Sequence, residues 1–258
     1  MKKKALLVAS FGTSYEETRK KTIGAIEESL QKEFEQHQVY RAFTSKIIKR
    51  KLEREGVFIF DVKEALEKIL EDGFTDVLIQ PTHIINGTEY DLLREDIVPF
   101  FQKFKSITIG RPLLTKHEDY MELADIIKET YPVEQDEALV LMGHGSKHPA
   151  NSSYPAFEYV LKDKGYDTVF VGTVEGYPSL KEVKKQLVQN KIKKVCLVPM
   201  MIVAGDHANK DLIGDEDSWK MELKKEGYQV RYDLRGLGEL EAVQKMFIRN
   251  AKEAVAIR

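Results

Sequence analysis

The sequence predicts an α/β protein of two similar domains, each a parallel sheet flanked by helices. Three observations predict it. Short runs of apolar residues, such as ALLVA at 5–9, DVLIQ at 76–80 and ALVLM at 138–142, show no alternation. Between them lie longer stretches whose apolar positions recur every three or four residues. Continuous apolar strands separated by helices mean a sheet buried on both faces, and hence a parallel one. The third observation is an internal repeat. ALLVASFGTS (5–14) overlays ALVLMGHGSK (138–147) at an offset of 133, and VLIQPTHIINGTEYD (77–91) overlays VCLVPMMIVAGDHAN (195–209) at 118. A weaker match puts residues 39–45 on 169–175 at an offset of 130. Repeats of this length mark a duplicated structural unit.

Taken in order, strands are expected at 4–9, 39–43, 76–80 and 106–109 in the first half, and at 139–142, 168–173, 194–198 and 229–232 in the second. Helices are expected at 16–35, where Ile23, Ile26, Leu30 and Phe34 share a face, and at 45–55, 62–71, 90–104 and 118–130. Gly73 follows the third of these as a C-cap glycine should. The second half places helices at 154–164, 179–189, 219–226 and 239–255. The polar, proline-bearing stretch 131–136 reads as a linker. It divides the chain into 1–131 and 132–258, with the closing helix a candidate to pack back on the first domain. Duplicated halves of this kind are expected to be related by a pseudo-twofold axis and to face one another across a cleft.

Composition narrows the function. The net charge of −2, from 40 basic and 42 acidic residues, lacks the basic excess of a nucleic-acid binder. A single cysteine, Cys196, excludes an internal disulfide and any Cys-rich metal site; within VCLVPMM it reads as a packed thiol. The opening MKKKALLVASFG is too short in its apolar part for a secretory signal, and no stretch approaches the ~20 apolar residues of a membrane span. A cytoplasmic protein without a membrane partner is expected.

Chemistry-bearing residues concentrate where strands end: Gly143-His144-Gly145-Ser146, Thr173-Val174-Glu175-Gly176, Ala204-Gly205-Asp206-His207 and Asn86-Gly87-Thr88-Glu89. Open α/β sheets bind ligands beyond the carboxyl ends of their strands. Two imidazoles with one or two carboxylates make an N/O donor set for a divalent first-row metal. The repeat places Phe11 on His144 and Glu89 on His207.

SFGTS, YRAFTS, HIINGTEY, MGHGS, VEGYP, MIVAGDHA and DSWK, running in order from Ser10 to Lys220, together resemble the anaerobic cobalt chelatases of cobalamin biosynthesis, within the class II chelatases. The resemblance implies a lyase that inserts Co²⁺ into sirohydrochlorin, a metal-free tetrapyrrole, and releases two protons. It implies His144 as catalytic base and metal ligand, Glu175 and His207 as metal ligands, and Glu89 as a further catalytic residue facing the metal. For a flat, carboxylate-rimmed disc, Phe11, Met200 and Met201 are candidates to line the faces, and Ser10, Thr13, Ser14 and Arg41 to hold the rim. No organic cofactor is expected. Co²⁺ is the expected substrate metal, with Fe²⁺ and Ni²⁺ as alternatives, since ligand type does not separate them. A sirohydrochlorin ferrochelatase, a tetrapyrrole or metal carrier without turnover, and a homo-oligomer all remain open. A hydrolase built on Ser146 does not, because HGSK lacks the GxSxG elbow.

Overall fold

The structure is a computed structural model that describes residues 3–257. It divides into two compact units, 1–115 with 238–258, and 116–237. In the first, strands β1 (Lys4–Ser10), β2 (His37–Phe43), β3 (Asp76–Pro81) and β4 (Ser106–Ile109) pair in parallel in the order β2-β1-β3-β4. After the loop that follows β1, helix α1 (Glu16–Arg19), a wider π turn at Lys20–Gly24 and α2 (Ala25–Glu33) run into one another without a break. Helices α3 (Lys46–Arg54) and α4 (Val62–Glu71) join β2 to β3, and α5 (Thr88–Ile97) joins β3 to β4. The expected helix over 90–104 ends early, because Pro99 sits in a tight turn at Val98–Phe100 and cannot continue the ladder.

The second unit begins with α6 (His117–Thr130) and holds β5 (Glu137–Gly143), β6 (Val169–Thr173), β7 (Lys194–Pro199) and β8 (Gln229–Tyr232), all parallel in the order β6-β5-β7-β8. Helices α7 (Ser153–Asp163), α8 (Leu180–Gln189) and α9 (Trp219–Lys225) connect them. Every residue of β5 is buried, as expected of a central strand covered on both faces. Leu180, Val183 and Leu187 of α8 and Trp219 and Leu223 of α9 pack with Val140, Met142, Phe170, Val195 and Leu197 in one core.

The unit boundary falls at 115/116 rather than at 131/132. The stretch 131–136 does join two elements, but α6 packs on α7 and is held there by Asp125, whose carboxylate lies 2.8 Å from Lys164 Nζ and accepts from the Tyr166 hydroxyl at 3.0 Å. Helix α10 (Glu241–Lys252) belongs to the first unit, with Asn250 Nδ2 donating to the Arg111 and Pro112 carbonyls at 3.3 Å. A last short strand, β9 (Val255–Ala256), which begins at the final residue of the stretch expected to be helical, pairs antiparallel with β4. The first sheet is therefore mixed at its edge.

The repeat survives at the level of register. Ala5 pairs with Val77 and Ala138 with Val195; Leu6 pairs with Val39 and Leu139 with Val169. These are the pairs related by the offsets of 133, 118 and 130. Among the described residues no helix is long and apolar enough to cross a membrane.

Candidate metal centre

At the carboxyl end of β5 the chain turns through Gly143, His144 and Gly145. A Cβ at Gly143 would lie 2.3 Å from the ring of Tyr154, and one at Gly145 would lie 2.5 Å from the Gly176 amide, where φ is +82°. Both positions therefore require glycine, the second also for its left-handed backbone. Tyr154 supports the turn from below. Its hydroxyl meets the backbone of Gly145 and His144, and burial pushes its pKa up to about 12. His144 Nδ1 lies 2.9 Å from the Gly145 carbonyl. A carbonyl only accepts, so Nδ1 carries the proton in the neutral ring and Nε2 keeps its lone pair.

Glu175 follows β6. Its amide donates to the His144 carbonyl at 2.8 Å, and its Oε2 is 4.0 Å from His144 Nδ1. Asn151 fastens the two loops together. Its Oδ1 accepts from the Ser146 amide at 2.9 Å and its Nδ2 donates to the Tyr177 carbonyl at 2.6 Å. His207 stands at the start of an irregular helical turn, Ala208–Leu212, after β7. Its Nδ1 donates to Asp211 Oδ2 at 2.7 Å, which again leaves Nε2 with the lone pair. The His144 and His207 rings meet edge to face with centroids 4.5 Å apart. One donor atom each from His144, Glu175 and His207 lies within 4.8 Å of the other two. Bonds of about 2.0–2.2 Å to a first-row ion set donors roughly 3–3.5 Å apart, so the three are close enough to share one ion.

The first unit builds the same loops with other side chains. The Ser45 amide donates to the Phe11 carbonyl at 3.2 Å, as that of Glu175 does to His144. The Asp91 amide donates to the Gly87 carbonyl, as that of Asn209 does to Gly205, both at 3.1 Å. Phe11, Ser45 and Glu89 thus hold the places of His144, Glu175 and His207. Glu89 is half-buried in the first turn of α5, with Oε2 buried and unpartnered. His83, in the loop ahead of it, is also buried at Nδ1 without a partner, and burial pulls its pKa down to about 4.

The other expected site residues distribute unevenly. Phe11 is 43% exposed at the strand end and Ser14 is half-buried. Ser10 and Thr13 are buried and already engaged, Ser10 Oγ accepting from Thr82 Oγ1 at 2.8 Å and Thr13 Oγ1 from the Tyr15 amide at 3.2 Å. Arg41 is partly buried, and its guanidinium forks onto both carboxylate oxygens of Glu27. Met200 is fully buried, and Met201 packs against the second core. Asp211, Asn151 and Tyr154 escape the sequence reading. Only Asp211 had a legible signal, its spacing of four residues from His207.

A family model described as cobalt chelatase (CbiK) matches residues 4–256. The chain belongs to the CbiK cobalt chelatase family. Among this family's members, the sirohydrochlorin cobaltochelatase of Salmonella typhimurium is 39% identical over 256 residues, covering 98% of this chain and 97% of that protein. The sirohydrochlorin cobaltochelatase CbiKC of Nitratidesulfovibrio vulgaris is 33% identical over 261 residues, covering 99% and 92%. Among solved structures, SirB from Bacillus subtilis with Fe³⁺ superposes with a TM-score of 0.65 at 16% identity, covering 97% of this chain and 95% of that one. CbiX, the terminal enzyme for siroheme biosynthesis in denitrifying bacteria, gives 0.59 at 18% identity, covering 97% and 99%. These two likenesses establish a shared chelatase fold.

Proposed function

We propose that this chain is a sirohydrochlorin cobaltochelatase of cobalamin biosynthesis, with His144, Glu175 and His207 as the residues that receive the metal. The observation that carries the residue assignment is their convergence, from three separate strand ends, to within 4.8 Å. Family membership supports the reaction and the metal.

Insertion must strip water from Co²⁺, remove the protons from two pyrrole nitrogens and form four Co–N bonds, so that the metal-free macrocycle and Co²⁺ give the cobalt complex and two protons. Three protein donors hold the ion while leaving positions for incoming nitrogens. His144 acts as the base for a pyrrole proton as it gives up the ion, because an imidazole changes protonation near neutral pH. Its Gly145 hydrogen bond keeps Nε2 as the accepting atom. Glu89 takes the second proton or guides the hydrated ion, tasks that suit an oxygen donor. No organic cofactor enters this scheme.

The test is anaerobic incubation of the purified protein with sirohydrochlorin and Co²⁺, following the visible absorbance change on insertion, with Fe²⁺ and Ni²⁺ in parallel. The reading requires Co²⁺ insertion above the uncatalysed rate; binding of both components without acceleration would make the protein a carrier instead.

A further inference from the structure

The two units match closely enough for a difference between them to carry information. From β2 to β6 the repeat offset is 130, whereas from α4 to α8 it is 118: Val62, Ala65 and Ile69 correspond to Leu180, Val183 and Leu187, all buried. Both helices also begin with a capping box, Asp61 with Glu64 and Ser179 with Glu182. The first unit therefore carries a twelve-residue insertion between β2 and α4, with no counterpart between β6 and α8. Helix α3 is the substance of that insertion. It starts at the carboxyl edge of the sheet, directly after Ser45, the counterpart of Glu175. Its N-cap hydroxyl accepts from the Ile48 amide.

The insertion is unlike its chain in charge and exposure. A protein of net charge −2 places five cations, Lys46, Lys49, Arg50, Lys51 and Arg54, on this one nine-residue helix, against a single carboxylate, Glu53. Lys49 is used structurally, tied to Asp61 and Glu64 at the start of α4. Lys46, Arg50 and Arg54, each one turn beyond the last, form an exposed row, and no ion pair among the described residues engages them. Beside the row Ile47 is 78% exposed. Lys51 lies 5.4 Å from the centre of the Tyr15 ring, on the segment that also bears Phe11. Ile47 and the Lys51–Tyr15 contact thus set apolar surface directly beside these cations.

We infer that this face of α3 is the arm that takes the carboxylate rim of the tetrapyrrole, with Ile47, Phe11 and Tyr15 against the edge of the ring. The inference rests on the substrate class proposed above. It adds unpaired cations to Arg41, whose own guanidinium is paired with Glu27. A flat apolar ring with anionic arms complements a row of unpaired cations flanked by apolar side chains. An exposed apolar patch on a surface otherwise balanced in charge is where such complementarity is expected.

Metal-free sirohydrochlorin, titrated spectroscopically without Co²⁺, tests this independently of turnover. The double variant Lys46→Glu, Arg50→Glu should bind it about tenfold more weakly at low ionic strength, the scale for losing exposed charge pairs and adding repulsion. Lys46→Gln, Arg50→Gln should lose about half of that in logarithmic terms. Co²⁺ affinity without tetrapyrrole should stay within twofold, and added salt should weaken wild-type binding towards the variant. Sirohydrochlorin with its carboxylates methyl-esterified should bind wild type and variant alike. Equal sirohydrochlorin affinity in wild type and both variants would overturn the inference and make the face a solvated one, as would a loss that persists with the ester. A wild type that binds sirohydrochlorin without inserting Co²⁺ would overturn the proposed reaction while leaving this comparison intact. A wild type that does not bind sirohydrochlorin would overturn both.

Discussion

Replacing Asp211 with Ala removes the group that fixes the His207 ring. The two side chains are 41% and 35% exposed and 2.7 Å apart. Were this an ordinary surface ion pair, its loss would cost about 0.2–1 kcal/mol, less than tenfold in any equilibrium. On the proposed ligand set, Asp211 is the acceptor that holds the proton on Nδ1 and leaves Nε2 for the ion, and so belongs with the carboxylates behind metal-bound histidines. Losing one of those typically costs 10–100-fold in metal affinity, about 1.4–2.8 kcal/mol. Calorimetric titration of Co²⁺ without tetrapyrrole, near pH 8 where an ordinary imidazole is neutral, separates the two roles. Asp211→Ala should weaken Co²⁺ binding by at least tenfold. Asp211→Asn keeps an oxygen that accepts from Nδ1 and should retain most of the affinity. An Ala variant within about threefold of wild type would refute the positioning argument. An Asn variant as weak as the Ala variant would attribute the effect to charge rather than orientation.

Other expectations follow from the same geometry. His144→Ala should slow insertion by about 10²–10⁴-fold, the usual worth of a general base, with the thermal midpoint nearly unchanged because the residue lies in a loop; more than a tenth of the wild-type rate would remove it as the base. Gly145→Ala forces a side chain into φ +82° and towards the Gly176 amide, so it should cost at least about 1–2 kcal/mol in denaturant melts and weaken Co²⁺ binding with it. Glu89→Ala should slow insertion while changing Co²⁺ affinity much less than His207→Ala does, by parallel kinetics and calorimetry; unchanged kinetics would leave Glu89 without a role. His83, with its pKa pulled from 6.5 to about 4 by burial, stays neutral in the fold while the unfolded chain takes up a proton. Its contribution should therefore fall as pH drops from about 6.5 to about 4 and level off below. Urea midpoints between pH 7 and 4 should decline less steeply in His83→Gln, and parallel declines would exclude that origin.

The strands and their register were legible because a buried parallel strand leaves a contiguous apolar run, and because duplication supplied an internal control: Ala5 and Ala138 could be aligned, and their neighbours then fell into place. The unit boundary was less legible. The stretch 131–136 has linker composition, but whether α6 joins the preceding or following sheet depends on contacts such as Asp125 with Lys164, which no local pattern encodes. Strand β9 was hidden for a related reason, since two residues carry no periodicity and only their pairing with Thr108 and Ile109 defines them. Among the candidate site residues, the convergence of His144, Glu175 and His207 was foreshadowed by their shared place beyond strand ends. The pairing of Arg41 with Glu27 on α2 was not legible, because an arginine beside a motif looks the same in sequence whatever it meets. Tyr154 and Asn151 act through the backbone of other loops, and nothing near them in sequence announces that.

The matched registers of the two sheets also make the chain its own construction manual. Phe11, Ser45 and Glu89 stand on a backbone that, in the other unit, presents His144, Glu175 and His207, down to the positive φ at Gly12 and Gly145. The scaffold on which the proposed ion site stands is therefore present twice and furnished with the histidine pair once. Phe11→His, Ser45→Glu and Glu89→His would transplant the donor set onto a backbone already shaped for it, the main obstacle to installing metal sites in unrelated proteins. Such a change would also sacrifice the side chains that distinguish the first unit, and so would measure how far the two halves have specialised.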